Sequence, residues 1–149
     1  MHKIHFDKQQ EKVSSKPVVT RNCSESDNRI LFCFQHITKK KQYNIENTKD
    51  KSVYRDFYKL ISRLSLSTWN DLQKKGKDNG GYEVLDYSTL KYSISDNTNS
   101  LGQTITDDTK LFVFRFGGKK YRLLGYKSST CVPTLYILGF DLDLTLYDH

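Results

Sequence analysis

Apolar positions are sparse over the first 28 residues and then recur with two different periods. Residues 1–28 are polar and aperiodic apart from Ile4, Phe6 and the short PVV run at 17–19, the pattern of an arm that a partner orders. Residues 30–37 (ILFCFQHI) are aromatic and β-branched over a short span, which predicts a strand buried on both faces. A basic loop tip, KKK at 39–41, follows. Val53, Phe57, Leu60, Ile61 and Leu64 then recur at intervals of three and four, which stacks them on one face of a helix capped by Asp50 or Ser52. Ser67 offers a second N-cap, with Asp71 in the first turn, Trp69 and Leu72 on the apolar side and Gly76 as the stop. Two helices joined by a tight turn are expected.

The second half changes period. Residues 74–81 (KKGKDNGG) break the chain, 82–92 alternate weakly as a strand or extended segment, and 93–108 read as a long polar loop. From Leu111, LFVFRF, Gly117-Gly118 and KKYRLLGY predict a hairpin, because paired glycines accept the positive φ of tight turns. A third strand, from 134 to about 146, follows the SSTCVP connection. A two-residue turn would set Arg115 opposite Lys120, Val113 opposite Arg122 and Phe114 opposite Tyr121. One side then carries Arg115, Lys120 and Arg122, and the other carries Phe112, Phe114, Phe116, Tyr121 and Leu123 as the cover for the helices. Strict alternation places Tyr136, Leu138, Phe140, Leu142, Leu144 and Leu146 on the apolar face. It turns Leu135, Ile137, Asp141, Asp143, Tyr147 and His149 the other way. The expected class is α+β: two helices packed on one face of an antiparallel sheet, in the order strand, helix, helix, meander. One domain covers 29–149 behind the arm of 1–28.

Composition narrows the class. A chain of 149 residues, 36% hydrophobic and 13% aromatic, is a folded protein with no room for two sizeable cores. Lysine and arginine number 24 against 17 acids, and the net charge of +7 favours polyanionic partners. Cys23, Cys33 and Cys131 stand at wide spacings with no CxxC pair or His/Cys cluster, so no metal or other cofactor is expected. The opening lacks the apolar stretch of a signal peptide and no segment reaches membrane-spanning length. A cytoplasmic protein with free thiols and no membrane partner is expected, with Cys33 as core.

Charge is also segregated. Residues 110–127 hold six cations and no acid, whereas everything beyond holds three aspartates and no cation. A sheet face gathering arginine, tyrosine and histidine suits RNA cleavage by the adjacent 2′-hydroxyl. His149 would move the proton, Arg115 and Arg122 would clamp phosphate oxygens, and Tyr147 would stack on a base or transfer a proton. Lys119, Lys120 and Lys127, with Lys74, Lys75 and Lys77, would extend a phosphate-binding rim. The plainer alternative pairs Asp141 and Asp143 with Arg115 and Arg122 in a surface ion network, and leaves Lys74, Lys75 and Lys77 to offset a helix dipole. His36 reads as a hydrogen-bonded core residue. The terminal Tyr-Asp-His reads as an end whose deletion barely changes stability.

The stretch KKYRLLGYKSSTCVPTLYILGFDLDLTLYDH resembles the closing segment of RelE/ParE-superfamily toxins, in which a "yRv-y" strand leads to an apolar strand and a short tail ending in tyrosine or histidine. The resemblance covers roughly residues 111–149, and the strand-helix-helix unit of 30–76 matches that family's architecture. It implies metal-free cleavage of mRNA, free or on the ribosome, and neutralisation by a cognate antitoxin. By position, Arg122 stands where the family has a strand arginine near the scissile phosphate, and Tyr147 or His149 where it has its terminal proton-transfer residue. Many members keep another basic residue just before the tail, where this chain has Asp141 and Asp143. Two function classes follow. One is an endoribonuclease toxin. The other is a non-catalytic phage or mobile-element inhibitor whose basic face meets a nuclease, nucleic acid or an acidic surface of a host protein. A gyrase-poisoning toxin of the same superfamily is a third.

Overall fold

The computed structural model describes residues 29–94, 105–128 and 134–149; the expectations for the arm, for the middle of the 93–108 loop, and for most of the SSTCVP connection lie outside them. Five strands and two helices follow in the order β1 (Leu31–Cys33), α1 (Lys51–Ser65), α2 (Trp69–Lys74), β2 (Glu83–Asp86), β3 (Lys110–Phe116), β4 (Tyr121–Lys127) and β5 (Thr134–Asp141). The Asp50 side chain caps α1 by accepting the Ser52 N–H at 2.9 Å, and Val53, Leu60 and Leu64 are the fully buried members of its apolar stripe. Thr68, one residue past the expected Ser67, caps α2. Its hydroxyl accepts the Asp71 N–H while the Asp71 carboxylate accepts the Thr68 N–H, both at 3.1 Å, which closes a capping box. Ser67 instead donates its hydroxyl to the Arg63 carbonyl and finishes α1.

The fold is α+β, with both helices on one face of a five-stranded sheet ordered β1-β5-β4-β3-β2. The sheet is mixed rather than antiparallel. β2 to β5 form an antiparallel meander, but β1 lies parallel to β5, with Leu31 opposite Thr134. β1 is also not the strand buried on both faces that its composition suggested. It has a single neighbour, spans three residues, leaves Leu31 51% exposed and only half buries Cys33. A short edge strand of this kind is one way a sheet limits unwanted pairing.

Two departures from simple alternation decide what faces what. First, the β3–β4 loop has four residues, with Phe116 opposite Tyr121 and Arg115 opposite Arg122. Gly117, Gly118 and Lys119 all take left-handed φ, at 60°, 65° and 71°. The register therefore differs from the two-residue reading by two, an even number, so Arg115 and Arg122 keep a common face while Lys120 leaves it for the loop. Second, the β4–β5 ladder slips between Leu124, opposite Gly139, and Gly125, opposite Ile137, leaving Leu138 as the extra residue of a bulge. Below the bulge the faces exchange. Leu135 and Ile137 join the helix side, and Leu138 joins the opposite side, contrary to strict alternation.

The helix side is a core of Leu60, Leu64, Trp69 and Leu72 against Phe114, Leu123, Ile137 and Phe140. Phe57 meets Phe140 edge-on at 5.1 Å. The other face is not the open, solvated surface expected. A second core of Tyr43, Ile94, Leu111, Val113, Leu124, Leu138, Leu146 and Tyr147 covers it, so one sheet carries a core on each face where the chain length suggested room for only one. The tail makes this layer possible. β5 stops at Asp141, whose carboxylate accepts the Thr145 and Leu146 N–H groups at 3.0 and 3.1 Å and folds residues 142–149 back over the sheet. Among the described residues, no helix is long and apolar enough to cross a membrane.

Candidate functional site

The register fixes a row of charge across the sheet, with Arg115 on β3 opposite Arg122 on β4, and Arg122 opposite Asp141 on β5. The returning tail adds Tyr147 and His149 above that row. His149 Nε2 lies 3.2 Å from Asp141 Oδ2, and its ring centroid is 4.1 Å from that of Tyr147. The Tyr147 hydroxyl donates to Glu83 Oε1 at 2.8 Å, from the neighbouring edge strand β2. Arg122 is near enough to Tyr147 to draw its hydroxyl down against the rise from burial, and donates from Nη1 to the Lys119 carbonyl at 2.7 Å and the Tyr121 carbonyl at 3.2 Å. Arg115 Nη1 donates to Asp78 Oδ1 at 2.7 Å, and its Nη2 stands 3.7 Å from Glu83 Oε2.

The four residues expected to carry chemistry are thus brought together, but half covered. Arg122 is 5% exposed, Tyr147 4% and Asp141 0%, whereas the His149 side chain keeps 21% of its surface. Both arginines leave one buried donor unpaired. Among the described residues, the buried side-chain nitrogens without a hydrogen-bond partner are Arg115 Nε and Arg122 Nε. Both Nε atoms are buried, so they are a cost of packing the charged row and not a surface offered to a ligand.

The lysines divide. Lys77 joins the cluster, its Nζ 3.0 Å from Glu83 Oε2, and Lys119 reaches its edge, 3.5 Å from Asp78 Oδ1. Lys120 is exposed in the loop, and Lys74 and Lys75 are exposed at the end of α2. Lys127 lies on the helix side, 5.1 Å above the Trp69 ring, and does not belong to the site. The surface network of Asp141 and Asp143 with the two arginines does not form. Asp143 accepts hydrogen bonds from Gln42 and Thr145, and Asp141 is taken by tail amides and His149. His36 is half buried with its ring 5.7 Å from that of Tyr136, remote from the cluster's hydrogen bonds.

Glu83 and Asp78 are the members that sequence reasoning missed, since Glu83 sits in a weakly alternating segment and Asp78 in the polar break before it, and neither pattern announces which strand they border. Burial alone would raise the Glu83 carboxyl, but hydrogen bonds from Lys77 and Tyr147 and the charges of Lys77 and Arg115 outweigh it and hold the group below its ordinary value. The hydroxyl of Tyr147 is pushed up, chiefly by burial and then by its bond to Glu83. By linkage, each of the two groups then contributes to one limb of the stability curve. Glu83 contributes above its unfolded pKa of about 4.3, and the contribution is lost as pH falls through the lower folded value. Tyr147 contributes below about 10, and its share is lost as pH rises beyond. A Glu83→Gln variant should accordingly lose less stability than the parent between about pH 5 and pH 3, as thermal melts across that range would register. Equal acid limbs in the two proteins would mean that Glu83 carries no linked charge.

Among the described residues, no group of three His, Cys, Asp or Glu side chains is placed to hold a metal ion. Comparison of the chain with protein-family models, with curated proteins and with solved structures found no match in any of the three.

Proposed function

We propose that the chain cleaves RNA by a metal-free 2′-hydroxyl mechanism at the Arg115–Arg122–Tyr147–His149 cluster, in the manner of a RelE/ParE-type toxin. One observation carries the reading: a partly exposed imidazole is held by a buried carboxylate that lies in the same cross-strand row as two arginines. Asp141 orients His149 through Nε2, which leaves Nδ1 to take the proton of the 2′-hydroxyl. The 2′-oxygen then bonds to phosphorus, the bond to the 5′-oxygen breaks, and the imidazolium returns its proton to that leaving oxygen. Arg122 and Arg115 offset the charge that builds on the non-bridging oxygens. Tyr147 is not the base, because burial and Glu83 keep it protonated. It positions the imidazole through ring contact and lends a neutral hydroxyl beside Arg122.

The products are a 2′,3′-cyclic phosphate and a 5′-hydroxyl. Purified protein mixed with RNA, alone and with ribosomes, should yield those ends with or without a chelator, and induced expression should arrest bacterial growth unless a cognate antitoxin is supplied. RNA left intact under both conditions would sink the proposal. The burial of Arg122 and Tyr147 favours a second reading, in which the cluster is a lock for the tail and the protein is a non-catalytic inhibitor that binds a nuclease, nucleic acid or an acidic protein surface. Growth arrest without new RNA ends and without the DNA breaks of poisoned gyrase would select it.

A further inference from the structure

Helix α1 shows solvent a second chemistry. Lys51, Arg55 and Lys59 recur every four residues along its exposed side, with Tyr54 and Tyr58 between them. Tyr58 is 73% exposed, the barest large hydrophobic side chain among the described residues. Beside this ridge an open groove of about 330 Å³ runs between α1 and the β3–β4 loop, lined by Asp56, Lys59, Arg63, Arg115, Gly117 and Gly118. Lys59, Arg63 and Arg115 line it with a single carboxylate, Asp56, which already has Arg55 Nε at 3.6 Å. Arg63 Nη1 also donates to the Gly80 carbonyl and Arg115 Nη1 to Asp78, so Lys59 is the cation the groove leaves open to solvent. The loop wall is open as well, since nothing lies within 4 Å of where a Cβ on Gly118 would stand. Arg115 joins this groove to the cluster, for it lines the groove while its guanidinium meets Asp78 and Glu83 on the cluster side.

A rail of cations beside an exposed aromatic ring is the arrangement that holds single-stranded polynucleotides. The cations follow the phosphates, and the ring stacks on a base. A duplex, whose bases already stack on one another, gives Tyr58 nothing to hold. We propose that α1 and the β3–β4 loop form a track for single-stranded RNA, with phosphates in the Lys59–Arg63–Arg115 groove, a base on Tyr58, and the strand leading on to His149. The track rests on the cluster being directed at RNA.

Tyr58 and Lys59 are both exposed, so alanine at either position leaves the core intact. The probe is a fluorescent single-stranded RNA methylated at every 2′-oxygen, which the mechanism above cannot cut, with binding followed by anisotropy over a range of KCl. Tyr58→Ala should weaken binding about tenfold without changing the salt slope. Lys59→Ala should lower the slope by about 0.7, the loss of one phosphate contact on a single strand. Variants that bind as the parent does would overturn the track, as would polyglutamate bound with the same dependence on Tyr58, which would point to an acidic protein partner. An unmethylated strand, assayed in parallel, separates the two proposals. If the parent binds through Tyr58 and Lys59 yet never cuts, the track stands and cleavage falls. If all three proteins bind and cut alike, cleavage stands and the track falls.

Discussion

Removing residues 147–149 should lower the unfolding free energy by about 3–5 kcal/mol, the range for deleting a large buried aromatic side chain. The end of the chain reads as a polar fringe, and on that reading its loss would change little. Its place in the fold says otherwise. Tyr147 is 4% exposed within the second core, and its hydroxyl holds Glu83 at 2.8 Å. Deleting it opens a hole over the sheet and takes a donor from a half-buried carboxylate, and deleting His149 takes a partner from Asp141, which is fully buried. The turn made by Asp141 with Thr145 and Leu146 survives the cut, so the tail loosens without the strand itself being lost. For a domain of this size the melting temperature should fall on the order of 10 °C. An unchanged melting temperature would mean that the tail does not lie on the sheet in solution. Truncation therefore mixes folding with chemistry, and point substitutions are needed to separate them.

The sequence carried the helices and the meander because their signals are local. A stripe of Val53, Leu60 and Leu64 needs only its own periodicity, and so does the alternation of Phe112, Phe114 and Phe116. What it hid depends on pairing. Lys119 takes a left-handed φ that its side chain does not advertise, so the hairpin loop runs two residues beyond the glycine pair. Gly125 and Gly139 mark the place of the bulge. A Cβ on Gly125 would come within 2.6 Å of the Tyr136 carbonyl, and one on Gly139 within 3.0 Å of the Tyr43 carbonyl. Glycine inside a strand often marks such an irregularity. The same limitation concealed the second core. Leu142, Leu144 and Leu146 continue the strand's rhythm, but Asp141 ends the strand by capturing amides four and five residues ahead, with Leu144 at a φ of 59°. The two arginines share one face on either register, because the two registers differ by an even number. His149 and Tyr147 reached them by a fold-back, not by the extended strand that alternation implied.

If the cluster cuts RNA, replacing His149 by alanine should slow cleavage by about two to four orders of magnitude. That is a rise of about 2.7–5.4 kcal/mol in the barrier. The same change should cost the fold only about 1–2 kcal/mol, since the side chain is one-fifth exposed and makes one hydrogen bond, to Asp141. At a temperature well below the melting transition the variant stays folded, so a loss of that size in rate cannot come from unfolding. Asp141→Asn provides the complementary control. The amide keeps the shape of the carboxylate but sets a donor either against the Thr145 N–H or against both the Leu146 N–H and the imidazole. Rates are therefore compared at a temperature where melts show the variant folded. It should lower the rate in the parent and change it little in the His149→Ala background, because a residue that acts by orienting the imidazole has nothing left to orient. If the two substitutions lower the rate independently, Asp141 acts only through the tail's stability. If His149→Ala cuts as fast as the parent, proton transfer does not occur at this imidazole, and the charged row across β3, β4 and β5 is a fastening for the second core rather than a centre for chemistry.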